Sequence, residues 1–521
     1  MSRTVETAQG VVAGFEMDGV TAFKGIRYAA PPIGSLRFAP PSAPPSWAGE
    51  LDCRNYGAIS LQPLDPLSAL ISGCEWNFYW PGAVQREDCL NLNVWTADTI
   101  ASKPVLVWIH GGGWLTGSGT GLWSDGTEFV KKHDVVVVSI NYRLGALGYL
   151  ALADPSRESG WTTNNGLLDQ VAALQWVQEN ISAFGGDPKR VCVFGESAGA
   201  MSVVAILGMP SAEGLFSKAI IQSGHHDVFR TMDRSREITE DCQSYFGASH
   251  GDALDRLREV NALDIMSAQH RWSTGNQLLF TMVLDGVDLP VHPLEAIAMG
   301  SAASVPLIIG TNTDENLLFK VLGQGPGILA GTFSDRVDAL FMPGISPPDR
   351  AILKVELLDL YSATTKGRDG VADEMVNDRI WRAPVRELID TYCLAGGTVY
   401  SYEFGFSSPV RGGELGAAHA MEIPFVFGNL RQPGVNEFAG DELSLGSEAH
   451  AISKEMNAAW AAFARTDVPS TENDTAWIAS STPAREQMFF SDRSSLRDDP
   501  HTEKLAWWLR HKDVMVSRIL F

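Results

Sequence analysis

A serine lies between two glycines at the point where an apolar run gives way to an Ala/Val-rich run. The stretch VCVFGESAGAMSVV (191–204) contains GESAG, with Ser197 at its centre. G-x-S-x-G between a strand and a helix is typical of a nucleophile elbow, a tight turn that projects the serine hydroxyl above a sheet. The N-terminus of the following helix favours negative charge developing nearby. We therefore predict that Ser197 is a catalytic nucleophile; the alternative is a structural serine.

A serine nucleophile requires donors for the oxyanion of a tetrahedral intermediate. The stretch WIHGGGWLTG (108–117) has three consecutive glycines after an apolar run, and such a run lets backbone N–H groups turn toward an oxyanion. We predict Gly112, Gly113 and Ala198 as the donors. The alternative is a flexible glycine turn.

A general base and an orienting acid are expected later in the chain, in the order Ser, Asp/Glu, His. Among the 11 histidines, His419 lies on the Gly/Ala-rich segment LGAAHAMEIPFVFG (415–428). His110, His225 and His226 are rivals on spacing alone, although His110 is better placed to brace the glycine loop.

The candidate acids lie in IIGTNTDENLLF (308–319), just beyond a predicted strand end. Catalytic groups of open α/β sheets gather at this position. Spacing does not choose between Asp314 and Glu315.

These groups must be positioned by a sheet with helices on both faces. Apolar runs of strand length, expected where both faces are covered, occur at 103–110, 134–142, 190–194, 216–224 and 305–312. The segment 164–188 carries apolar residues at helical spacing between two of these runs. Strands that alternate with helices predict βαβ units and a doubly wound, mainly parallel sheet.

The remaining segments predict additions to this sheet. The first 60 or so residues alternate short apolar runs with Gly and Pro, which favours a small antiparallel sheet. Segments around 236–264 and 369–380 predict cap and flank helices, and 447–469 predicts a long amphipathic helix. No composition change marks a domain boundary, so we predict one domain over 1–521 with insertions.

Composition excludes several classes of function. The net charge of −22 over 521 residues, without a basic stripe, argues against nucleic-acid binding and against docking on anionic membranes. The six scattered cysteines include no C-x-x-C pair, which argues against a zinc site. The N-terminus has no apolar signal region and the apolar runs are too short to span a membrane. We expect a soluble protein, cytoplasmic as written or secreted if a leader was removed.

Three long segments resemble one known family. They are FKGIRYAAPPIGSLRF (23–38), EDCLNLNVW (87–95) and FGGDPKRVCVFGESAGA (184–200). Together they are similar to the type-B carboxylesterase family, the cholinesterase/lipase branch of the α/β-hydrolases, over most of the chain. The resemblance implies the α/β-hydrolase fold: a mainly parallel central sheet with helices on both faces, a small N-terminal antiparallel sheet and helical cap insertions.

The resemblance also selects among the candidate residues. The family's acid is the Glu of an Asp-Glu pair, which implies Glu315, and its histidine lies in Gly-x-x-His-x-x-Glu-Ile-Pro-Phe, which matches 416–425 and implies His419. Glu196 and Ser223 fall where the family has polar residues near the triad. Arg37 and Glu87 are implied to form a buried ion pair.

Aromatic residues are the candidates for the walls of a substrate pocket. Trp114 directly follows the glycine loop and is expected to wall an acyl pocket. The cluster CEWNFYW (74–80), with Trp76, Phe78, Tyr79 and Trp80, either lines a gorge rim, as the resemblance implies, or packs in the core. Trp123, Trp161 and Trp272 are expected to be buried.

Three positions depart from the family pattern. Asn91 stands where the second signature usually has an aromatic residue. Ser60 lies near the position of an upstream cysteine that often bridges the equivalent of Cys89, so Cys89 either pairs with Cys74 or stays free. Asn316 replaces the glycine that usually follows the Asp-Glu pair, which affects the expected turn.

The implied activity is that of a serine carboxylesterase that needs no cofactor and no metal and forms an acyl-enzyme on Ser197. Its expected partner is a small-molecule ester; nucleic acid and an integral membrane segment are not expected, and the sequence does not decide the oligomeric state. An amidase or carbamate hydrolase with the same triad is one alternative. A second alternative is a non-catalytic binding protein of this fold.

Overall fold

The computed structural model describes residues 2–63, 82–152, 163–248, 253–272, 279–323, 331–364, 367–471, 476–481, 485–492 and 494–515. The aromatic cluster of 74–80, Cys74 and Trp161 lie outside these residues, as does the side chain of Trp272.

The strands of the described residues are short and mostly buried. They are β1 Ser2–Thr7, β2 Gly10–Met17, β3 Val20–Arg27, β4 Glu50–Asp52, β5 Asn91–Thr96, β6 Lys103–Ile109, β7 Val136–Ile140, β8 Gly186–Glu196, β9 Lys218–Gln222, β10 Arg230–Thr231, β11 Val283–Leu284, β12 Leu307–Asn312, β13 Val399–Phe404, β14 Glu486–Phe490 and β15 Ser495–Asp498.

Thirteen of these strands form one sheet, in the order β1-β2-β3-β5-β7-β6-β8-β9-β12-β13-β14-β15, with β4 paired to β2. Neighbours from β7 to β14 are parallel, whereas β1, β2, β3, β5 and β7 pair antiparallel in sequence and β15 closes the far edge antiparallel. The predicted mainly parallel sheet and N-terminal antiparallel strands are therefore confirmed. β10 and β11 form a separate two-stranded ladder.

Helices connect and cover the strands. They are α1 Thr127–Lys132, α2 Gly145–Tyr149, α3 Asn165–Asn180, α4 Ala198–Gly208, α5 Met232–Tyr245, α6 Ala253–Glu259, α7 Ala262–Trp272, α8 Pro293–Ala298, α9 Asn316–Val321, α10 Phe333–Asp338, α11 Pro347–Leu360, α12 Arg368–Asn377, α13 Ala383–Leu394, α14 Ile423–Phe427, α15 Val435–Phe438, α16 Glu442–Thr466 and α17 Thr502–Arg510, with a π-helical turn at Asp378–Arg382.

The helices cover both faces of the sheet because its strands are apolar on both sides. Along β6, Val105, Val107 and Ile109 join one buried cluster with α3, α4 and α13. Leu106 and Trp108 join the opposite cluster with α14 and α16. Successive side chains of a strand point to opposite faces, so the continuous apolar run seen in the sequence is the signature of this two-sided burial.

An ion pair ties the N-terminal sheet to the cap helices. The Arg37 guanidinium donates to both Glu87 carboxylate oxygens at 2.6 and 2.7 Å, as the resemblance implied. Its third nitrogen donates to the carbonyls of Leu257, Arg258 and Val260. These bonds anchor the end of α6 to the segment before β5. The single-domain extent over 1–521 stays a prediction.

Candidate active site

Ser197 occupies a strained turn between β8 and α4. Its backbone has φ +54° and ψ −125°, a conformation that a residue with a side chain adopts only when its surroundings impose it. Close packing imposes it here: a Cβ on Gly199 would lie 2.1 Å from the carbonyl oxygen of Ile109, and one on Gly195 would lie 2.6 Å from Gly199. The two glycines let the end of β6 approach the elbow.

We expect Gly199→Ala to lower the free energy of unfolding by roughly 3 kcal/mol or more, because a backbone carbonyl of β6 blocks the new methyl group and the strand must shift. Urea unfolding followed by circular dichroism measures the change. Gly367→Ala is the matched control: a Cβ there meets open space, and we expect a change of at most about 1 kcal/mol. Equal effects of the two substitutions would contradict the packing argument.

An acid holds the imidazole of His419. Nδ1 of His419 lies 2.6 Å from Oε2 of Glu315, and both residues are buried. The other carboxylate oxygen of Glu315 accepts the amide N–H of Asn312 at 2.7 Å. Asp314 turns away and accepts the amide of Ala417 at 3.2 Å, so it fixes the loop that carries His419 and does not contact the ring.

The opposite nitrogen of His419 faces a second acid. Nε2 lies 3.1 Å from Oε1 of Glu196, the residue before Ser197. Within the described part of the chain, no hydrogen bond joins the Ser197 hydroxyl to the imidazole. Trp381 and Phe319 pack on the ring, with centroids 4.6 and 5.3 Å away. The structure therefore brings Glu315, His419 and Glu196 into direct contact and leaves Ser197 beside them.

Ser197 and Glu196 both border the glycine loop. A Cβ built on Gly111 would lie 2.7 Å from Oε2 of Glu196 and 3.1 Å from Cβ of Ser197. Both side chains thus meet at the same place beside the glycine loop.

Burial and charge set the protonation of this group. Burial raises the pKa of Glu196 well above its ordinary value. Burial alone lowers the pKa of His419, but the carboxylates of Glu196 and Glu315 outweigh it and raise this pKa to about 9. The two acids therefore favour the protonated form of the His419 imidazole at neutral pH.

We expect Glu196→Gln to move the acidic limb of the pH profile of kcat/KM to lower pH, by roughly one unit. His419 must be unprotonated to accept a proton, and loss of the adjacent carboxylate lowers its pKa. Hydrolysis rates of p-nitrophenyl acetate from pH 5 to 10 measure the midpoint. Glu213→Gln, an exposed site with the same change of charge, is the control. An unmoved midpoint, or one shifted to higher pH, would contradict this assignment.

The glycine loop offers free donors. Gly112 and Gly113 have φ of +100° and +62°, which glycine adopts without strain. No hydrogen bond among the described residues uses the amide N–H of Gly112, Gly113 or Ala198, whereas the carbonyl of Gly112 accepts the amides of Leu115 and Thr116. The three predicted donors are thus unpaired beside the elbow.

The other predicted pocket residues are buried. Trp114 is fully buried, and its indole N–H donates to Ser202 of α4 at 3.0 Å. Ser223 has φ +51° and a buried hydroxyl without a partner in the described residues. Their part in binding substrate stays a prediction. Trp123 is buried, as expected.

The other candidate histidines contact residues other than Glu315. His110 stacks on Tyr142, and its Nδ1 lies 2.8 Å from the carbonyl of Gly111, so it braces the glycine loop as expected. Burial lowers its pKa to about 4. His226 lies 3.3 Å from Glu387, and His225 contacts Trp381.

Several residues of the site were not predicted. Glu422 accepts the side-chain amides of Asn312 at 2.6 Å and Gln222 at 3.2 Å, and burial raises its pKa. These hydrogen bonds stabilise the loop of Glu315, because Asn312 also binds the Glu315 carboxylate. Glu422 could have been found, since it is the Glu of the His-x-x-Glu motif, whereas no sequence signal marks Trp381 as a neighbour of His419.

The departures from the family pattern are accommodated locally. Asn316 accepts the indole N–H of Trp381 at 3.1 Å and thereby holds this ring near His419. The amide of Asn91 donates to the carbonyls of Ala58 and Cys89. Cys89 is a buried free thiol, and burial raises its pKa to about 12.

One group of side chains has atoms close enough to share a cation. Oxygen or nitrogen atoms of Glu374, Asp378 and His501 lie within 4.8 Å of one another. Lys504 already pairs with Glu374, and Arg382 donates to Asp378 at 2.6 Å. These cations neutralise the acids, so the group is a salt-bridge network that includes Asp378 of the π-helical turn.

Comparisons with known proteins identify the family of this chain. A model described as "Carboxylesterase family" matches residues 1–508. The para-nitrobenzyl esterase of Bacillus subtilis (strain 168) is 37% identical over 96% of this chain and 97% of its own length. The fumonisin B1 esterase of Sphingopyxis macrogoltabida is 33% identical over 90% and 83%. The crystal structure of the Geobacillus stearothermophilus carboxylesterase EST55 at pH 6.2 is 36% identical, covers 97% of this chain and 99% of its own, and superposes with a TM-score of 0.84. None of the helices in the described residues has the length and apolarity needed to cross a membrane.

Proposed function

Because the chain belongs to the carboxylesterase family, we propose that it hydrolyses carboxylic esters through an acyl-enzyme on Ser197. The observation that carries this mechanism is the 2.6 Å contact between His419 and Glu315 beside the strained serine. It supplies a base bound to an acid through Nδ1, next to a partly exposed nucleophile on a helix N-terminus.

Acylation begins when His419 leaves Glu196 and turns Nε2 toward the serine. Ser197 Oγ attacks the ester carbonyl carbon, and Nε2 accepts the hydroxyl proton. Glu315 keeps the other ring proton on Nδ1 and stabilises the imidazolium. The carbonyl oxygen becomes an oxyanion and accepts hydrogen bonds from the amides of Gly112, Gly113 and Ala198.

The intermediate then collapses and the bond to the alcohol oxygen breaks. His419 donates its proton to that oxygen, so the alcohol leaves neutral and the acyl group stays on Ser197. Water repeats the sequence: His419 accepts its proton, the hydroxide adds to the acyl carbon, and the carboxylic acid leaves as the serine regains its proton. These steps need no cofactor and no metal.

Trp114, Glu196 and Ser223 are proposed to border bound substrate. Trp114 follows the oxyanion loop, where the acyl chain of a tetrahedral intermediate would extend. Glu196 lies against Nε2, and Ser223 follows β9 at the same end of the sheet. The relatives named as esterases of para-nitrobenzyl and fumonisin B1 substrates support a small-molecule ester as the substrate class.

The proposal is tested with p-nitrophenyl acetate, butyrate and laurate and with the p-nitroanilide of butyric acid. We expect hydrolysis of at least one ester and turnover of the anilide slower by orders of magnitude, since the amine is a poorer leaving group than the phenol. Faster anilide turnover would favour an amidase with the same triad. A folded protein inactive on all four substrates would favour the binding-protein alternative.

A further inference from the structure

A buried imidazole close to the triad carries an N–H for which the described residues offer no acceptor. His225 follows β9 and is fully buried, and its Nδ1 accepts the amide N–H of Asp227 at 3.1 Å. Burial lowers the pKa of His225 well below its ordinary value, helped by the positive charges of His226, Arg379 and His419. The ring is therefore neutral with its proton on Nε2, and among the described residues this N–H has no partner.

Arg379 is a second buried group, and its one ion pair in the described residues is with Asp227, the residue whose amide binds His225. The side chain of Arg379 is 7% exposed, and its ion pair with Asp227 spans 4.0 Å. Its Nε is buried and has no hydrogen-bond partner within the described residues. Arg382 on the same turn, by contrast, donates to Asp378 and Glu403. A buried Nε–H donor without an acceptor is costly unless a ligand supplies one.

One of these two side chains, His225, lies one aromatic ring away from the triad. Trp381 shares the π-helical turn with Arg379, and its ring centroid is 5.6 Å from that of His225 and 4.6 Å from that of His419. π-helical turns occur frequently at functional sites. Ser223, two residues before His225, adds a buried hydroxyl that also has no partner in the described residues.

The acids near Arg379 leave its positive charge under-compensated. Glu387 is bound by Lys512 at 2.7 Å and contacts His226 at 3.3 Å. Asp227 is partly exposed, with 26% of its side chain accessible, and lies at the limit of an ion pair. A carboxylate that reached Arg379 would form the paired hydrogen bonds that Asp227 does not.

We propose that Arg379 and His225 form a subsite that binds a carboxylate carried by the ester substrate, so that the enzyme prefers half-esters of dicarboxylic acids. The guanidinium would donate to the carboxylate in a paired geometry, and Nε2 of His225 would donate to one of its oxygens. This subsite rests on the proposed function, because it concerns the acyl group that Ser197 would take up.

Monoethyl glutarate and ethyl valerate test the subsite, since they share an acyl chain length and differ by a terminal carboxylate against a methyl group. Hydrolysis is followed by pH-stat titration. We expect Arg379→Met to lower kcat/KM for monoethyl glutarate by about tenfold or more, as loss of a charged hydrogen bond does. Ethyl valerate should change by less than about twofold. His225→Phe should also lower the preference for the half-ester.

Two further variants complete the test: one is a control, and the other should raise the preference for the half-ester. Arg234→Met removes an exposed arginine of α5 and should leave the ratio of the two kcat/KM values unchanged. Asp227→Asn removes the acid that competes for Arg379 and should raise kcat/KM for monoethyl glutarate relative to ethyl valerate. It decides the matter if circular dichroism shows that Arg379→Met does not fold.

Equal losses on both esters in Arg379→Met, or a lower ratio in Asp227→Asn, would overturn the subsite while leaving the proposed function intact. A folded wild-type protein without activity on ethyl valerate, p-nitrophenyl acetate or p-nitrophenyl butyrate would overturn the proposed function and the subsite with it.

Discussion

Ser197→Ala is expected to lower kcat for p-nitrophenyl butyrate by about 10⁵- to 10⁶-fold, because an alanine cannot form the acyl-enzyme. The oxyanion donors and the pocket remain, so a residual rate above that of water is expected. Stopped-flow or long-term steady-state assays of purified protein measure the loss. Removal of the Ser197 hydroxyl should leave the fold unchanged, since this hydroxyl makes no hydrogen bond to His419.

The control for this substitution is Ser211→Ala, an exposed serine just after α4, which should retain full activity. A second readout tests the covalent step directly. An aryl phosphonate ester should add one phosphonyl group to the wild-type protein and none to Ser197→Ala, as seen by intact-protein mass spectrometry. Retained hydrolysis or retained labelling in the alanine variant would remove Ser197 as the nucleophile.

Glu315→Gln is expected to lower kcat by about 10³- to 10⁴-fold, which is the scale seen when the orienting acid of a triad becomes an amide. The amide loses the negative charge that stabilises the imidazolium. Its N–H₂ group can also donate to Nδ1, which would leave Nε2 protonated and unable to act as base. Steady-state kinetics with p-nitrophenyl butyrate measure the effect.

The adjacent acid provides a closely matched control. Asp314→Asn makes the same chemical change one residue earlier, but Asp314 contacts the amide of Ala417 and not the imidazole. We expect kcat to fall by less than about tenfold, through a small shift of the loop that carries His419. A larger loss in Asp314→Asn than in Glu315→Gln would reverse the assignment of the acid.

Local patterns predicted the parallel strands, the helical segment within 164–188 and the elbow from the sequence. Each depends on residues close together in the chain: continuous apolar runs for strands buried on both faces, helical spacing for α3, and two glycines around Ser197. The side-chain periods of strands and helices are fixed by backbone geometry, so a short window is enough to recognise them. The sheet, its antiparallel N-terminal strands and the α/β-hydrolase fold are confirmed.

Such patterns could not predict which of the two acids, Asp314 or Glu315, points toward the imidazole. Asp314 and Glu315 are neighbours after β12, and residue spacing left both open until the family motif favoured Glu315. In the structure, the choice is made by a contact between residues 104 positions apart and by the amide of Asn312. Whether a side chain points inward at a strand end depends on the loop that packs against it.

The sequence by itself determined which chemistry this chain could carry: a serine at a predicted elbow, a run of three glycines after a strand, and a histidine and an acid that the family motifs selected from several candidates. Only the tertiary structure decided how these groups meet. It set Glu196 against Nε2 of His419, placed Trp381 over the ring, and buried Nε2 of His225 and Nε of Arg379 without acceptors among the described residues. Motifs depend on local backbone geometry, whereas pKa values, unpaired donors and contacts depend on which distant segments the fold packs together and on how far it excludes water from them.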